Sequence, residues 1–331
     1  MNDMKAAYIE STGASDKIIF GSVTKPKPAG SQVLVKVKAV SVNPIDTYVR
    51  SGLVKFDLPK PFIIGCDLAG VVEATGPDVK RLHIGDRVWG SNQGLLGRQG
   101  TFAEYAAVEE HWLYNTPDEV ADTDAAALAL TGITAHLGCF RAANLKMGEN
   151  VFVHGGSGGV GSCVIQMARA VGARVFTTAG NDEKLHVCRQ LGATAAVNYK
   201  TGDLNAAIKK FGPIDVWWET LREPNFELAL EHLNMRGRLI LMAGREARPP
   251  FPVGPFYTKD LTIYGFAMFN SSPEEQRKCA AEMNRWMAKG RLKALIGKKM
   301  KLSEAAAAHK LQEENTLKKA GTLIGKIVLT V

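Results

Sequence analysis

A chain of 331 residues, 46% of them hydrophobic and 22% charged, can bury a sizeable core and is long enough to call for two domains rather than one. Its apolar stretches are broken by Gly, Lys or Asp before the roughly 18 residues that a membrane helix needs, and Met1 to Glu10 has no cationic start followed by an apolar block, so neither membrane insertion nor export is expected. The formal net charge of +8 comes from Lys and Arg dispersed among acids, which suits a solvated basic surface around an anionic ligand better than a nucleic-acid-binding face.

In chain order, residues 1–125 read as a mainly β domain, 126–270 as a nucleotide-binding domain, and 271–331 as a bridging helix with a return to the first domain. Gln32 to Val42 contains the alternation Val33-Leu34-Val35-Lys36-Val37-Lys38-Ala39-Val40 of a half-buried strand. Asp67 to Ala74 and Asp86 to Trp89 read as further strands, separated by Thr75-Gly76-Pro77-Asp78 and His83-Ile84-Gly85-Asp86 turns. From Asp122 an Ala-rich helix runs to near Phe140. After Gly148, strands and helices alternate in βαβ fashion, with strands at Asn150 to His154, Arg174 to Thr178, Ala195 to Asn198, Asp215 to Glu219, Arg238 to Met242 and Leu261 to Ala267. The last of these is apolar and expected to end the sheet, and an edge of that kind invites pairing across a two-fold axis, so a homodimer is expected. Ser272-Pro273-Glu274-Glu275 starts a helix that continues to about Lys289. Ser303 to Glu314 reads as one more helix, and Lys326-Ile327-Val328-Leu329 as a strand that rejoins the first domain.

His154-Gly155-Gly156-Ser157-Gly158-Gly159-Val160-Gly161 carries G-x-G-x-x-G at Gly156, Gly158 and Gly161, directly after the apolar Val151-Phe152-Val153. In a dinucleotide loop the first glycine permits a tight turn, the second lets backbone approach the pyrophosphate, and the third lets the following helix pack on the sheet with its amino end toward the phosphates. Glycine-rich turns also serve purely steric purposes, but here a strand precedes the loop, a helix follows, and Gly172 to Phe176 supplies the second strand. That strand ends Thr177-Thr178-Ala179-Gly180-Asn181, without the acid that binds the ribose hydroxyls of NAD. Lys184, Tyr199 and Lys200 would instead surround a 2′-phosphate, which points to NADPH. The competing readings make Lys184 a solvated helix residue and Tyr199 a packing residue, or let Asp182 or Glu183 turn back to a ribose.

Asn43-Pro44-Ile45-Asp46-Thr47-Tyr48-Val49-Arg50-Ser51-Gly52 resembles the N-P-x-D/E-T-Y-I-R-S-G segment of the zeta-crystallin-like quinone oxidoreductases, a zinc-independent branch of the medium-chain dehydrogenase/reductases. Gly65 to Val72, Gly85 to Val88, Gly100 to Tyr105 and Gly325 to Leu329 follow in that family's order, so the resemblance covers nearly the whole chain. It implies an α/β fold, with a Rossmann doubly wound parallel sheet between two parts of a mainly β GroES-like catalytic domain and the active site in the cleft. In zinc relatives the ligand positions would fall at Asn43, Cys66 and Leu130, and only Cys66 offers a coordinating side chain. The five cysteines, Cys66, Cys139, Cys163, Cys188 and Cys279, lie far apart without a C-x-x-C pair, which argues against a zinc knuckle or disulfide framework and for a reducing, cytoplasmic setting. No metal is expected, and Cys66 is read as a packed thiol.

Without zinc to polarise a carbonyl, the easiest hydride acceptor is one already electron-poor, such as a quinone or an enone. By resemblance, Asn43 and Tyr48 lie beside the nicotinamide and the acceptor, with an Asn amide or Tyr hydroxyl available to the developing oxyanion. Asp46 and Arg50 support that loop. A turn Asn, a buried Tyr and a surface ion pair are the plain alternatives. The resemblance also implies cofactor contacts from Thr131, Gly156, Ser157, Gly158, Gly159, Val160, Gly161, Gly180, Lys184, Tyr199, Gly244, Phe266, Met268 and Lys326. The family's second Tyr after Arg-Ser-Gly is replaced here by Leu53-Val54-Lys55-Phe56. NADPH-dependent quinone reduction is therefore the leading expectation. An alkenal or enone double-bond reductase is the enzymatic alternative, and an RNA-binding or crystallin-like role the non-catalytic one.

Overall fold

The computed structural model describes residues 3–331, which divide into two compact units. One comprises the described chain up to Leu130 together with Ser272–Val331, and the other Thr131–Ser271.

The first unit is built on a sheet whose spatial order is Ile296–Lys301, Lys326–Thr330, Gln32–Val42, Leu68–Thr75, Arg87–Gly90, Leu113–Asn115, with Tyr105–Glu109 also pairing Gln32–Val42. A smaller sheet joins Ile19–Thr24, Asp3–Ile9 and Phe62–Ile63. The central Gln32–Val42 strand alternates at Lys36 and Lys38, its exposed positions, as its sequence predicts. Lys326–Thr330 pairs antiparallel with it, Ile327 opposite Val42, so the expected final strand does rejoin the first domain. The Ile296–Lys301 strand was not expected, because Ile-Gly-Lys-Lys-Met-Lys carries no apolar alternation. It forms by parallel pairing with Lys326–Thr330 at the sheet edge.

The second unit holds a six-stranded, all-parallel sheet in the order Ala195–Asn198, Arg174–Ala179, Asn150–Val153, Ile214–Glu219, Leu233–Leu241, Thr262–Gly265. In chain order this is 3-2-1-4-5-6, the doubly wound arrangement, and the order reverses between Asn150–Val153 and Ile214–Glu219, where ligands bind at the carboxyl ends of strands. Phe152 stacks on Trp217 with ring centroids 3.9 Å apart, joining the two strands at that point. Leu233–Leu241 begins earlier than expected, and Thr262–Gly265 is shorter but does end the sheet.

The Ala-rich helix Asp122–His136 continues into a π-helical turn, Leu137–Ala142. At Gly138 an added Cβ would lie 2.0 Å from the Trp218 ring, so this turn depends on glycine for its close approach. Contrary to the expectation of broken apolar stretches, Asp122–Ala142 is long and apolar enough to cross a membrane. Its alanines and leucines keep the mean hydropathy high despite Thr and Gly, and 78% of the apolar window is buried inside the protein, as in a core helix.

Candidate active site

The Asn43–Gly52 segment, expected as a loop, is a helix over Pro44–Ser51. Pro44 occupies the first turn, where it has no hydrogen bond to lose, and the Asn43 backbone N–H donates to Asp46 Oδ2 at 2.7 Å. Gly52 ends the helix with φ of 80°, a left-handed conformation that glycine adopts without a Cβ penalty. Helical phase then sorts the motif. Asp46, Thr47, Val49 and Arg50 turn inward, and Pro44, Ile45 and Tyr48 share the partly accessible stripe. Asp46 and Arg50 are therefore not a surface ion pair. Arg50 is buried, pairs with Glu313 and donates to the Gly13 carbonyl, because the helix Ala305–Thr316 packs against it.

Behind the helix start lies a buried polar network that sequence reasoning did not assemble. Asp67 accepts from Ser41 Oγ at 2.7 Å, from Asn43 Nδ2 at 2.7 Å and from Ser91 Oγ at 2.6 Å. Lys326 Nζ donates to the Val42 carbonyl at 2.7 Å and to Asn43 Oδ1, and stands 4.0 Å from Asp67. The second Asn43 amide hydrogen has the Ser41 carbonyl 3.4 Å away. Both ends of the Asn43 amide, and the Lys326 ammonium, are thus engaged inside the first unit, where they fix the backbone at the helix start. Burial raises Asp67 above the ordinary carboxylate range despite Lys326 and its three donors. Burial likewise lifts Asp46 from 3.8 to about 7, against the Cys66 thiol and the Asn43 backbone, which favour its charged form. The Cys66 thiol is pushed up by burial and by Asp46 and Asp67, so it is a protonated, packed thiol rather than a reactive one.

In the second unit the glycine loop is shaped by close contacts. A Cβ on Gly156 would lie 2.3 Å from Thr177 Oγ1, and one on Gly161 2.4 Å from the Gly155 carbonyl, so both are needed for packing. Gly158 differs: its Cβ would meet only the Gly155 carbonyl, at 3.3 Å. The steric demand for glycine is weaker there than at Gly156 and Gly161. Gly158 is also the N-cap of the helix Gly159–Ala170, with no side chain capping it, which leaves the Gly159, Val160 and Gly161 end of the helix suited to a phosphate. Ser157 is buried in the loop. Just below, His154 Nδ1 meets Glu219 Oε2 at 2.7 Å across the point where strand order reverses, a buried pair that the sequence did not flag.

At the end of the second strand, Gly180 is overlain by Tyr199 and Lys200. An added Cβ would lie 2.9 Å from the Tyr199 hydroxyl and 3.3 Å from Lys200 Cε. Asn181 caps the helix Asp182–Leu191 by accepting from the Lys184 backbone N–H, and this places Lys184 inward at 7% exposure, whereas Asp182 and Glu183 are exposed. Burial and the neighbouring Lys200 both hold the Lys184 ammonium below the ordinary lysine range. Two cations that repel each other beside a glycine-floored surface are suited to an anion. Of the remaining positions, Thr131 lies 3.8 Å from the Cys163 thiol, Gly244 packs where a Cβ would be 2.8 Å from the Arg222 carbonyl, Phe266 lies under the Arg141 guanidinium, and Met268 is buried.

Residues 29–118 match the alcohol dehydrogenase GroES-like domain, and residues 159–288 match the zinc-binding dehydrogenase domain. The quinone oxidoreductase of Homo sapiens is 34% identical over 98% of this chain and 97% of its own length, and that of Sus scrofa is 37% identical over 87% of each. Among solved structures, a mycobacterial protein in complex with NADPH is 28% identical and superposes with a TM-score of 0.86 over 99% of this chain and all of its own. The donors at the zinc positions do not suit the metal: Asn43 is spent on the buried network, Leu130 has no donor atom, and the Cys66 thiol is held protonated. The parallel 3-2-1-4-5-6 sheet, the GroES-like domain and the full-length similarity together show that the chain belongs to the quinone oxidoreductases of the medium-chain dehydrogenase/reductase family.

Proposed function

We propose that this protein is an NADPH-dependent reductase whose acceptor is a quinone. The observation that carries the cofactor is the Lys184, Tyr199 and Lys200 cluster around Gly180, where an NAD site would offer an acid. When bound, NADPH supplies a hydride; a quinone that accepts it and a proton from solvent becomes the hydroquinone, and NADP⁺ remains. In this reading the uncapped helix end at Gly158 to Gly161, with Ser157, binds the pyrophosphate. Thr131, Gly244, Phe266 and Met268 serve the nicotinamide half. Tyr48 faces the acceptor from the accessible stripe of its helix. Asp46, Arg50, Asn43 and Lys326 position that helix from within.

The chemistry is proposed to run without a metal, on electrostatic and positional grounds alone. Five buried free thiols suit a reducing, cytoplasmic setting. The Thr262–Gly265 edge, with Tyr264 exposed on it, supports a homodimer. Light scattering at twice the chain mass is expected, and a monomer at micromolar concentration would count against it. The deciding assay is a steady-state screen of quinones and enones with NADPH and NADH. Hydroquinone formation favouring NADPH is expected. A saturated carbonyl as the dominant product would move the assignment to an enone reductase, and a preference for NADH would remove the cofactor reading.

A further inference from the structure

The Asn43 amide, the nearest candidate for a carbonyl-binding donor by position in the motif, is fully engaged with Asp67, Lys326 and Ser41. Two residues beyond the Arg87–Gly90 strand, a different amide is in the opposite condition. Asn92 is 1% exposed, and among the described residues neither its Oδ1 nor its Nδ2 has a hydrogen-bond partner. Most buried polar side-chain atoms are paired, and an unpaired amide costs desolvation free energy with no return inside the free protein.

Three further observations converge on the same loop. Asn92 has φ of 72°, a left-handed conformation uncommon outside glycine. Arg98 reaches back from the far side of the loop, its Nε donating to the Asn92 carbonyl at 2.8 Å, and its Nη2 is also buried without a partner. The loop is tied to the buried network: Ser91 bonds Asp67, and the Gln93 backbone N–H faces the Cys66 carbonyl at 3.4 Å. Two unpaired N–H donors, Asn92 Nδ2 and Arg98 Nη2, are therefore held on one loop, one of them cationic. A carbonyl oxygen has two lone pairs to accept them, and an oxygen that gains negative charge on reduction is bound more tightly than a neutral one.

We propose that Asn92, supported by Arg98, is the donor that recognises the carbonyl oxygen of the quinone acceptor and stabilises the charge developing on it. This rests on the quinone-reductase reading and assigns that site its acceptor-binding residue. Access to the buried amide requires movement of the loop beyond it. Gly94, Leu96 and Gly97 are all left-handed there, Leu96 is 48% exposed, and a Cβ on Gly97 would meet nothing nearer than 3.9 Å.

The test uses Asn92→Gly, which keeps the left-handed backbone while deleting the amide, and Asn92→Asp, which replaces the amide donor with a carboxylate oxygen of similar shape. Binding of 1,4-naphthoquinone is followed without cofactor by quenching of tryptophan fluorescence, for which Trp112, its ring 5.6 Å from the Arg98 guanidinium, is a local reporter. Turnover of the same quinone is measured with NADPH. Both variants should weaken quinone binding at least tenfold and lower kcat/KM by roughly 10- to 1,000-fold, with the KM for NADPH within about twofold of the parent because the cofactor loop is untouched. Arg98→Met should lower kcat/KM in the same direction. Unchanged quinone binding and unchanged kcat/KM in Asn92→Gly would overturn the proposal. A parent protein that binds but does not reduce quinones would refute the reductase reading instead, and the fluorescence titration would still decide the role of Asn92.

Discussion

Replacing Lys184 by Ala removes one of two cations beside Gly180 and leaves the fold of the loop intact, since the Lys184 backbone N–H, not its side chain, completes the Asn181 cap. The loss can be sized. A hydrogen bond to a charged group contributes about 1.5–3 kcal/mol, and each 1.36 kcal/mol is tenfold, so the gross effect on NADPH is about 10- to 150-fold. Lys200, whose Cε lies 3.3 Å from the Cβ position at Gly180, remains to hold a 2′-phosphate. Removing Lys184 also relieves the repulsion that lowers its own pKa in the free protein. Both considerations place the single substitution toward the lower end, about 10- to 30-fold, and the Lys184→Ala/Lys200→Ala double variant well above it. NADH lacks the phosphate, so its KM should change by less than about threefold, the scale of a lost packing contact. Steady-state kinetics with both cofactors, together with NADP⁺ binding by calorimetry, gives the ratio directly. Equal losses for NADPH and NADH, or a parent enzyme that prefers NADH, would refute the reasoning from the cation pair.

The buried titratable groups give two pH predictions of opposite sign. Asp46, raised to about 7, supplies stability that is present below about pH 4 and lost as pH rises through 7; chemical denaturation of Asp46→Asn against the parent should therefore show a gap growing in the variant's favour by about 1.4 kcal/mol per pH unit across that window, and a constant gap would sink the assignment. His309, lowered to about 3 by burial and by Arg50, supplies stability that is present above about pH 6.5 and lost as pH falls toward 3. Both of its ring nitrogens are buried without partners among the described residues, so His309→Phe should be nearly neutral at pH 7 and increasingly stabilising in acid, and a pH-independent loss would show the ring to be needed for packing against Phe102. Tyr48→Phe should lower turnover by roughly ten- to a hundredfold with the KM for NADPH little changed, and full activity would reduce the hydroxyl to a packing group.

Much of the architecture follows from local pattern. The alternation in Val33 to Val40 and the βαβ rhythm after Gly148 identify strands and helices because burial on one face imposes a period of two or 3.6 on any chain. Gly156 and Gly161 are legible for a similar reason, since close packing excludes a side chain at each, while the role of Gly158 toward a pyrophosphate belongs to the proposed function. The helix at Pro44–Ser51 is also encoded locally, since Asn at the cap, Pro at the first position and Asp at the third are start signals. What the helix does with its residues was decided elsewhere. Arg50 turns inward because Glu313, 263 residues away, meets it there. Lys326 reaches Asn43 across 283 residues because the last strand pairs with Gln32–Val42, which sets Ile327 opposite Val42. Ser41, Asn43, Asp67, Ser91 and Lys326 have no common spacing, and their hydrogen bonds exist only after the strands are in register. The same holds for what is missing from a bond. Sequence shows an Asn at position 92 as one amide among many, whereas only the packed chain shows that its neighbours leave both of its polar atoms unpaired. Local patterns report on a residue's own backbone and face, while the saturation of a polar group depends on every element packed around it.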